Sequence, residues 1–186
     1  MKALIIVEEQ VDFCEGGSLA VNGGVEVVKK TTEFLTENAG NYDLILATRD
    51  WHEPDNSNGG HISDSPDYVD TWPTHCVQGT PGAEYHPNLD TGFIQVHIIK
   101  GMGRSDYSGF QGVDLESGKS LDDILKVNGI SQLDIIGIAE DHCVRATAID
   151  GLDLGYKVRV FKDLTTPVTP GTGALEEVAS KGGLII

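Results

Sequence analysis

Apolar residues fall in short blocks along the chain, and the blocks switch between two periods. Ala3–Val7 is an unbroken apolar run, as expected of a strand buried on both faces. Leu44–Thr48, Gln95–Ile99, Leu133–Ile138 and Val158–Asp163 read the same way, and Leu184–Ile186 predicts a short terminal strand. Between them the spacing turns helical. Val27, Val28, Thr31 and Leu35 place one stripe on a helix over Val25–Asn38. Further helices are predicted over Leu121–Val127, Val144–Leu154 and Gly173–Lys181. Two segments keep neither period. Asp50–Pro87 is rich in Pro, Gly, Asn and Asp, and Gly101–Gly112 is a second loop. A loop as long as the first is usually functional in a compact domain.

Strands alternating with helices imply an α/β fold: a mostly parallel central sheet with helices on both faces, in three layers. The reading is a single domain over 1–186, with no internal repeat or linker. In such sheets the chemistry gathers beyond the C-terminal ends of the strands. Glu8 follows the first predicted strand, Asp50 and His52 the second, Lys100 the third and Cys143 the fourth. Four strand ends bearing reactive side chains carry more weight than any one of them.

Composition narrows the partners. The 186 residues are 39% hydrophobic, enough for a sizeable core. Acidic residues number 29 against 13 basic ones, for a formal net charge of -16. Such a surface repels nucleic acid and anionic membranes, and is indifferent to a small neutral substrate. No apolar stretch reaches spanning length. The run Met1–Val7 meets Glu8 and Glu9 with no cleavage site, which reads as a buried strand rather than a signal peptide. Cys14, Cys76 and Cys143 are odd in number and widely spaced, arguing for a reducing, cytoplasmic setting without a disulfide framework.

Two groups of residues can carry chemistry. Cys143 lies where a strand runs into a helix; there the helix N-terminus favours thiolate and can hold an oxyanion. Lys100 nearby would lower the thiol pKa, and a carboxylate at the end of strand one could move its proton to a leaving amine. The plainer readings are a solvated lysine and a small buried cysteine, the latter preferred for Cys14 and Cys76. Asp50-Trp51-His52, with His61 and His75 on the same loop, offers imidazoles and a carboxylate that suit one divalent zinc, iron or manganese ion. The plainer alternative is a set of polar loop residues in a chain with six histidines.

The chain resembles bacterial nicotinamidase/pyrazinamidase, within the isochorismatase-like cysteine hydrolases. The resemblance rests on Ala3–Val7 with Gln10 and Asp12 to Val21, on Ala47 to His52, and on Trp72 to Ala83. Lys100-Gly101, Tyr107 to Phe110 and Gly137 to Ala139 extend it over nearly the whole chain, and His61 stands fourteen residues before His75 as in the actinobacterial branch. The resemblance implies Cys143 as nucleophile, Lys100 as the triad lysine, and Asp50, His52, His61 and His75 as metal ligands. It implies a cis peptide at Ile138-Ala139, an oxyanion hole from the N–H groups of Ala139 and Cys143, and a ring pocket lined by Phe13, Trp72, Tyr107, Ile138 and His142. Asp12 matches a carboxylate behind the histidine ligands. The implied reaction converts nicotinamide to nicotinic acid and ammonia through a thioester, with pyrazinamide as a surrogate, in a monomer or small homo-oligomer.

The chain departs from that pattern at three acidic positions. Glu8 stands where the family has the triad aspartate; its intrinsic pKa is close, but its side chain is one methylene longer. A misplacement of about 1 Å costs on the order of 10²-fold in rate. Glu9 replaces an apolar residue, at a desolvation cost unless it is paired, and Val11 replaces a polar one. Glu140 replaces a threonine, and a carboxylate there raises the Cys143 pKa unless it points away. The expectation is a retained but reduced or substrate-shifted amidase. The alternatives are a non-catalytic binding homologue and a sister hydrolase acting on isochorismate or a carbamoyl compound.

Overall fold

Alternation along one strand divides the core in two. The structure is a computed structural model and describes residues 1–186. In β1 (Lys2–Val7), Ala3, Ile5 and Val7 join one apolar cluster, while Leu4 and Ile6 join the other. All five are fully buried, so the unbroken apolar run reflects two cores rather than one. The first core takes Leu121, Ile124 and Leu125 of α2 (Leu121–Val127), Ala148 of α3 (Arg145–Asp153) and Val178 of α4 (Ala174–Ser180). The second takes Val27, Val28 and Leu35 of α1 (Gly24–Asn38). The expected helices on both faces are therefore present.

The remaining strands are β2 (Leu44–Asp50), β3 (Val96–Lys100), β4 (Val113–Asp114), β5 (Gln132–Ile138), β6 (Lys157–Thr166) and β7 (Leu184–Ile185). They form one seven-stranded sheet in the order β4-β3-β2-β1-β5-β6-β7, parallel except for β4. The chain winds outward from β1 through β2 and β3, then returns to the other side of β1 as β5. That reversal puts the ends of β1 and β5 side by side, the place where doubly wound sheets open a crevice.

Four boundaries that bear on the site differ from the sequence reading. Asp50 and Lys100 are the last residues of β2 and β3 rather than the first residues after them. They are direct neighbours in the parallel register, which places their side chains at one level. β6 runs on to Thr166, past a register shift between Ile135 and Gly137 on its β5 partner. The helix expected from Val144 is preceded by a wide five-residue π-helical turn, Glu140–Val144, and α3 proper starts at Arg145. The two-residue β4 was not anticipated; it is too short to show a period.

Two local devices hold the frame. Gly137 has φ +115°, and a Cβ there would fall on the backbone of Val7, so only glycine lets β5 approach β1 at this point. At the opposite end of the sheet, Asp134 accepts from Arg159 Nε at 2.7 Å and Nη2 at 2.5 Å, and from the Tyr42 hydroxyl at 2.8 Å. All three cysteines are free. No helix is long and apolar enough to cross a membrane.

Glu9 is fully buried beneath α1. One oxygen accepts from Thr31 Oγ1 at 2.5 Å and the other has no partner. Thr31 lies on the apolar stripe of its helix, so Glu9 is only half satisfied, and burial pushes its pKa from 4.5 up to about 8. The folded protein thus holds a proton that the unfolded chain releases. Stability from this group is full below about 4.5 and falls as pH rises to about 8. Glu9→Gln is expected to be more stable than the parent by about 1–3 kcal/mol at pH 8, with a smaller difference at pH 5, in urea unfolding at the two pH values.

Candidate active site

Lys100 ends β3 with its side chain fully buried. Its Nζ lies 2.6 Å from Glu8 Oε1 and 2.6 Å from Asp50 Oδ1. It also donates to the Asp106 carbonyl at 3.0 Å, and stands 3.7 Å from Cys143 Sγ. The ends of β1, β2, β3 and β5 therefore converge on one ammonium group. Glu8 leaves β1 with φ +48°, an uncommon conformation for a non-glycine residue. Gln10 fixes Asp50 from behind: its Oε1 accepts from the Asp50 N–H at 2.8 Å, and its Nε2 donates to the Asp50 carbonyl at 2.9 Å.

Charges divide unevenly in this cluster. Burial alone would lower the Lys100 pKa, but Asp50, Cys143 and Glu8 hold it well above its usual value, so it stays an ammonium. Burial alone would raise Asp50, but Lys100 and His52 pull it well down, so it stays ionised. Glu8 is different. Burial and the Asp50 charge lift it to about 7, with Lys100 pulling the other way. The Cys143 thiol is pushed well above its usual value by burial and by Glu8, despite Lys100. The sequence pointed to a thiol pKa lowered by a helix N-terminus and Lys100; here the sulfur lies in the wide turn, and burial and Glu8 outweigh Lys100. Glu140 does point away, since its Oε2 accepts from Thr165 Oγ1 at 2.6 Å.

Asp50 also faces the three histidines. His52 Nε2 lies 3.5 Å and His75 Nε2 3.6 Å from Asp50 Oδ2. Asp50, His52, His61 and His75 are all buried, with one ligand atom from each within 4.8 Å of all the others. Each imidazole is held by its other nitrogen: His52 Nδ1 at 2.9 Å from the Gly101 carbonyl, His61 Nδ1 at 3.1 Å from Ser105 Oγ, and His75 Nδ1 at 2.6 Å from the Pro73 carbonyl. Such outer hydrogen bonds orient imidazoles for a metal. His52 Nε2 is buried without a hydrogen-bond partner, and burial holds His61 neutral, down to about 3. An orphaned inward nitrogen where three imidazoles and a carboxylate gather fits a divalent cation. Asp12 holds the next residue, its Oδ2 accepting from the Cys76 N–H at 2.8 Å.

A pocket opens above Cys143. Phe13, Trp72, Tyr107, Ala139, His142 and Cys143 line it, with Glu8, Asp50, His61 and His75. The indole N–H of Trp72 donates to the Tyr107 hydroxyl at 3.0 Å, and His142 stacks on Tyr107 at 5.8 Å. Ile138 does not reach the pocket: it is fully buried in the α1 core because it is still within β5. The peptide between Ile138 and Ala139 is cis, as the resemblance implied. Leu19, Val21 and Val168 also line the pocket and were not anticipated. Leu19 and Val21 fall within the quoted opening motif, whereas nothing in the sequence marks Val168.

The isochorismatase domain model matches residues 2–183. The nicotinamidase/pyrazinamidase of Mycobacterium tuberculosis is 49% identical over 181 residues, 96% of this chain and 94% of its own length. The pyrazinamidase of Pyrococcus horikoshii, solved in complex with zinc, is 36% identical with a TM-score of 0.81, over 100% of this chain and 98% of the other. An L. infantum protein solved in complex with nicotinate is 31% identical with a TM-score of 0.83, over 100% of this chain and 92% of the other. On a match that runs nearly from end to end, this chain belongs to the isochorismatase domain family.

Proposed function

We propose that residues 1–186 act as one amidohydrolase domain that converts nicotinamide to nicotinic acid and ammonia, with pyrazinamide as a second substrate. The observation that carries this reading is the position of Lys100, within 2.6 Å of Glu8 and 3.7 Å of Cys143 beneath an aromatic-lined pocket. Relatives named for the same activity support it.

Cys143 is the nucleophile, Glu8 the acid/base and Lys100 the group that holds Glu8 in place. The sulfur attacks the carboxamide carbon as its proton passes to Glu8, whose pKa near 7 suits both taking and returning a proton. The N–H groups of Ala139 and Cys143 receive the developing oxyanion. Glu8 then protonates the departing nitrogen, ammonia leaves and a thioester remains. In the second half Glu8 takes a proton from water, the water oxygen attacks the thioester, and nicotinic acid leaves as the thiol re-forms. A flat ring is held among Phe13, Trp72, Tyr107 and His142. Asp50, His52, His61 and His75 would hold a zinc, iron or manganese ion, which would supply Lewis acidity toward the ring nitrogen.

The extra methylene of Glu8 does not detach it from its partners, because its carboxylate keeps the short contact with Lys100. Metal-loaded protein is therefore expected to release ammonia from nicotinamide, measured by a coupled ammonia assay. Binding of nicotinate by calorimetry without any ammonia release would replace this reading with that of a non-catalytic binding protein. Cys143→Ser and Glu8→Gln are each expected to lower kcat by at least about 10²-fold, while Glu8→Gln still binds nicotinate.

Removal of the metal gives an independent check. Prolonged chelation is expected to reduce kcat/KM, and zinc, iron or manganese added back should restore it to different extents. His61→Ala should lower the metal content measured by mass spectrometry about 10-fold or more, as loss of an oriented ligand does.

A further inference from the structure

Part of the pocket wall is aliphatic and takes no part in the chemistry. Leu19, Val21 and Val168 supply it. Val168 lies in a strap, residues 165–169, made of the last two residues of β6 and the three that follow. The strap is tied at three points. Glu140 accepts from Thr165 Oγ1 at 2.6 Å, and the Asn22 carbonyl accepts from Thr166 Oγ1 at 2.7 Å. Asp141 supplies the third tie with both of its oxygens: Oδ1 accepts from the Val168 N–H at 2.8 Å and Oδ2 from the Thr169 N–H at 2.9 Å. Pro167 and Pro170 flank this pair of donors, with φ fixed by their rings.

The Asp141 side chain is only 3% exposed, so its two hydrogen bonds form away from bulk water. It sits in the wide turn between Ala139 and Cys143. The turn that positions the reacting carbon and the wall that meets the ring are therefore fastened by one carboxylate. The tie from Thr166 to Asn22 joins the same strap to the segment that bears Leu19 and Val21.

We propose that Asp141 is a positioning residue that holds Val168 as the size-limiting wall of the pocket, so that the chain selects unsubstituted pyridine and pyrazine carboxamides over ring-alkylated ones. The proposal rests on the amidase reading for its substrate class. An apolar wall that cannot retreat discriminates against one added methyl by about 10–200-fold. Without the clamp, the strap yields and the penalty shrinks.

The test compares nicotinamide with its ring-monomethyl derivatives as substrates, and nicotinate with the matching methylated acids as ligands, on metal-loaded parent, Val168→Ala, Val168→Leu and Asp141→Asn. Val168→Ala is expected to raise the methyl-to-parent ratio of kcat/KM about 10-fold or more at one ring position, chiefly through KM. Val168→Leu should lower it, and Asp141→Asn should raise it at the same position as Val168→Ala. A purely structural Asp141 would depress all substrates alike and leave the ratio unmoved, which overturns the positioning role. Val168→Ala leaves the clamp intact and reads the wall even where Asp141→Asn fails to fold; no response at any ring position overturns the proposal. If the parent releases no ammonia, the amidase reading falls, and the ratios of dissociation constants still decide this one. Binding of neither nicotinate nor any methylated acid overturns both.

Discussion

A fully buried ammonium group is the constraint on which the site is built. Taking such a charge out of water costs several kcal/mol, and the cost is offset only by close, well-aimed partners. Lys100 is hydrogen-bonded to Asp50 and the Asp106 carbonyl, and Glu8 adds a close counter-charge. Each partner comes from a different segment: the exit of β1, the end of β2 and the loop after β3. The parallel pairing of β1 with β2 and of β2 with β3 brings those segments to one level. The sheet register and the charge cluster thus require each other. A slip of one residue would turn every strand side chain to the other core and strand the lysine among aliphatic groups.

One ammonium between two carboxylates also divides their roles. Asp50 is held far below its usual range by Lys100 and His52, and its second oxygen faces the histidines. Glu8 receives less compensation, and burial leaves it near 7. When one environment pushes two carboxyl groups apart in this way, the ionised one serves as an electrostatic anchor and the raised one as the proton carrier. That division agrees with Glu8 as acid/base and Asp50 as ligand. It also explains why a protonated resting thiol is compatible with nucleophilic catalysis: the acceptor for its proton is next to it and near neutrality.

What could be read from the sequence follows from which forces leave a local trace. β1, β2, β3 and β5 were legible because burial on both faces forces continuous apolar runs. Their ends were legible to within two residues, which was enough to bring Glu8, Asp50, Lys100 and Cys143 together. Asp50 and His52 announced a ligand pair by spacing; His61 and His75 were candidates by residue type alone until the family resemblance matched them, because a loop of that length has no period to read. β4, the last residues of β6 and Val168 were hidden, since each is placed by partners distant in sequence. Val168, for example, is fixed by a carboxylate twenty-seven residues earlier. The placement of Ile138 in the pocket failed for a simpler reason: the last residue of β5 still obeys strand alternation, which turned its side chain into the α1 core.

The three acidic departures from the family pattern are not equivalent once their surroundings are known. Glu140 accepts a hydrogen bond from Thr165 and helps to anchor the strap over the pocket. Glu8 shares Lys100 with Asp50 beside Cys143. Glu9 alone is fully buried without a counter-charge, and with one hydrogen bond it is kept neutral by burial. Sequence shows only that three carboxylates were introduced close to one site. Their effects differ in kind, because a carboxylate is defined by the donors it meets: a hydroxyl at the rim, an ammonium at the centre, and an apolar helix face beneath the sheet. With Asp50 ionised and Lys100 charged, the ionised form of Glu8 leaves the floor of the pocket one negative charge in excess. A dication beside Asp50 reverses that balance, which gives a physical reason for the metal ligands and the nucleophile cluster to share one carboxylate.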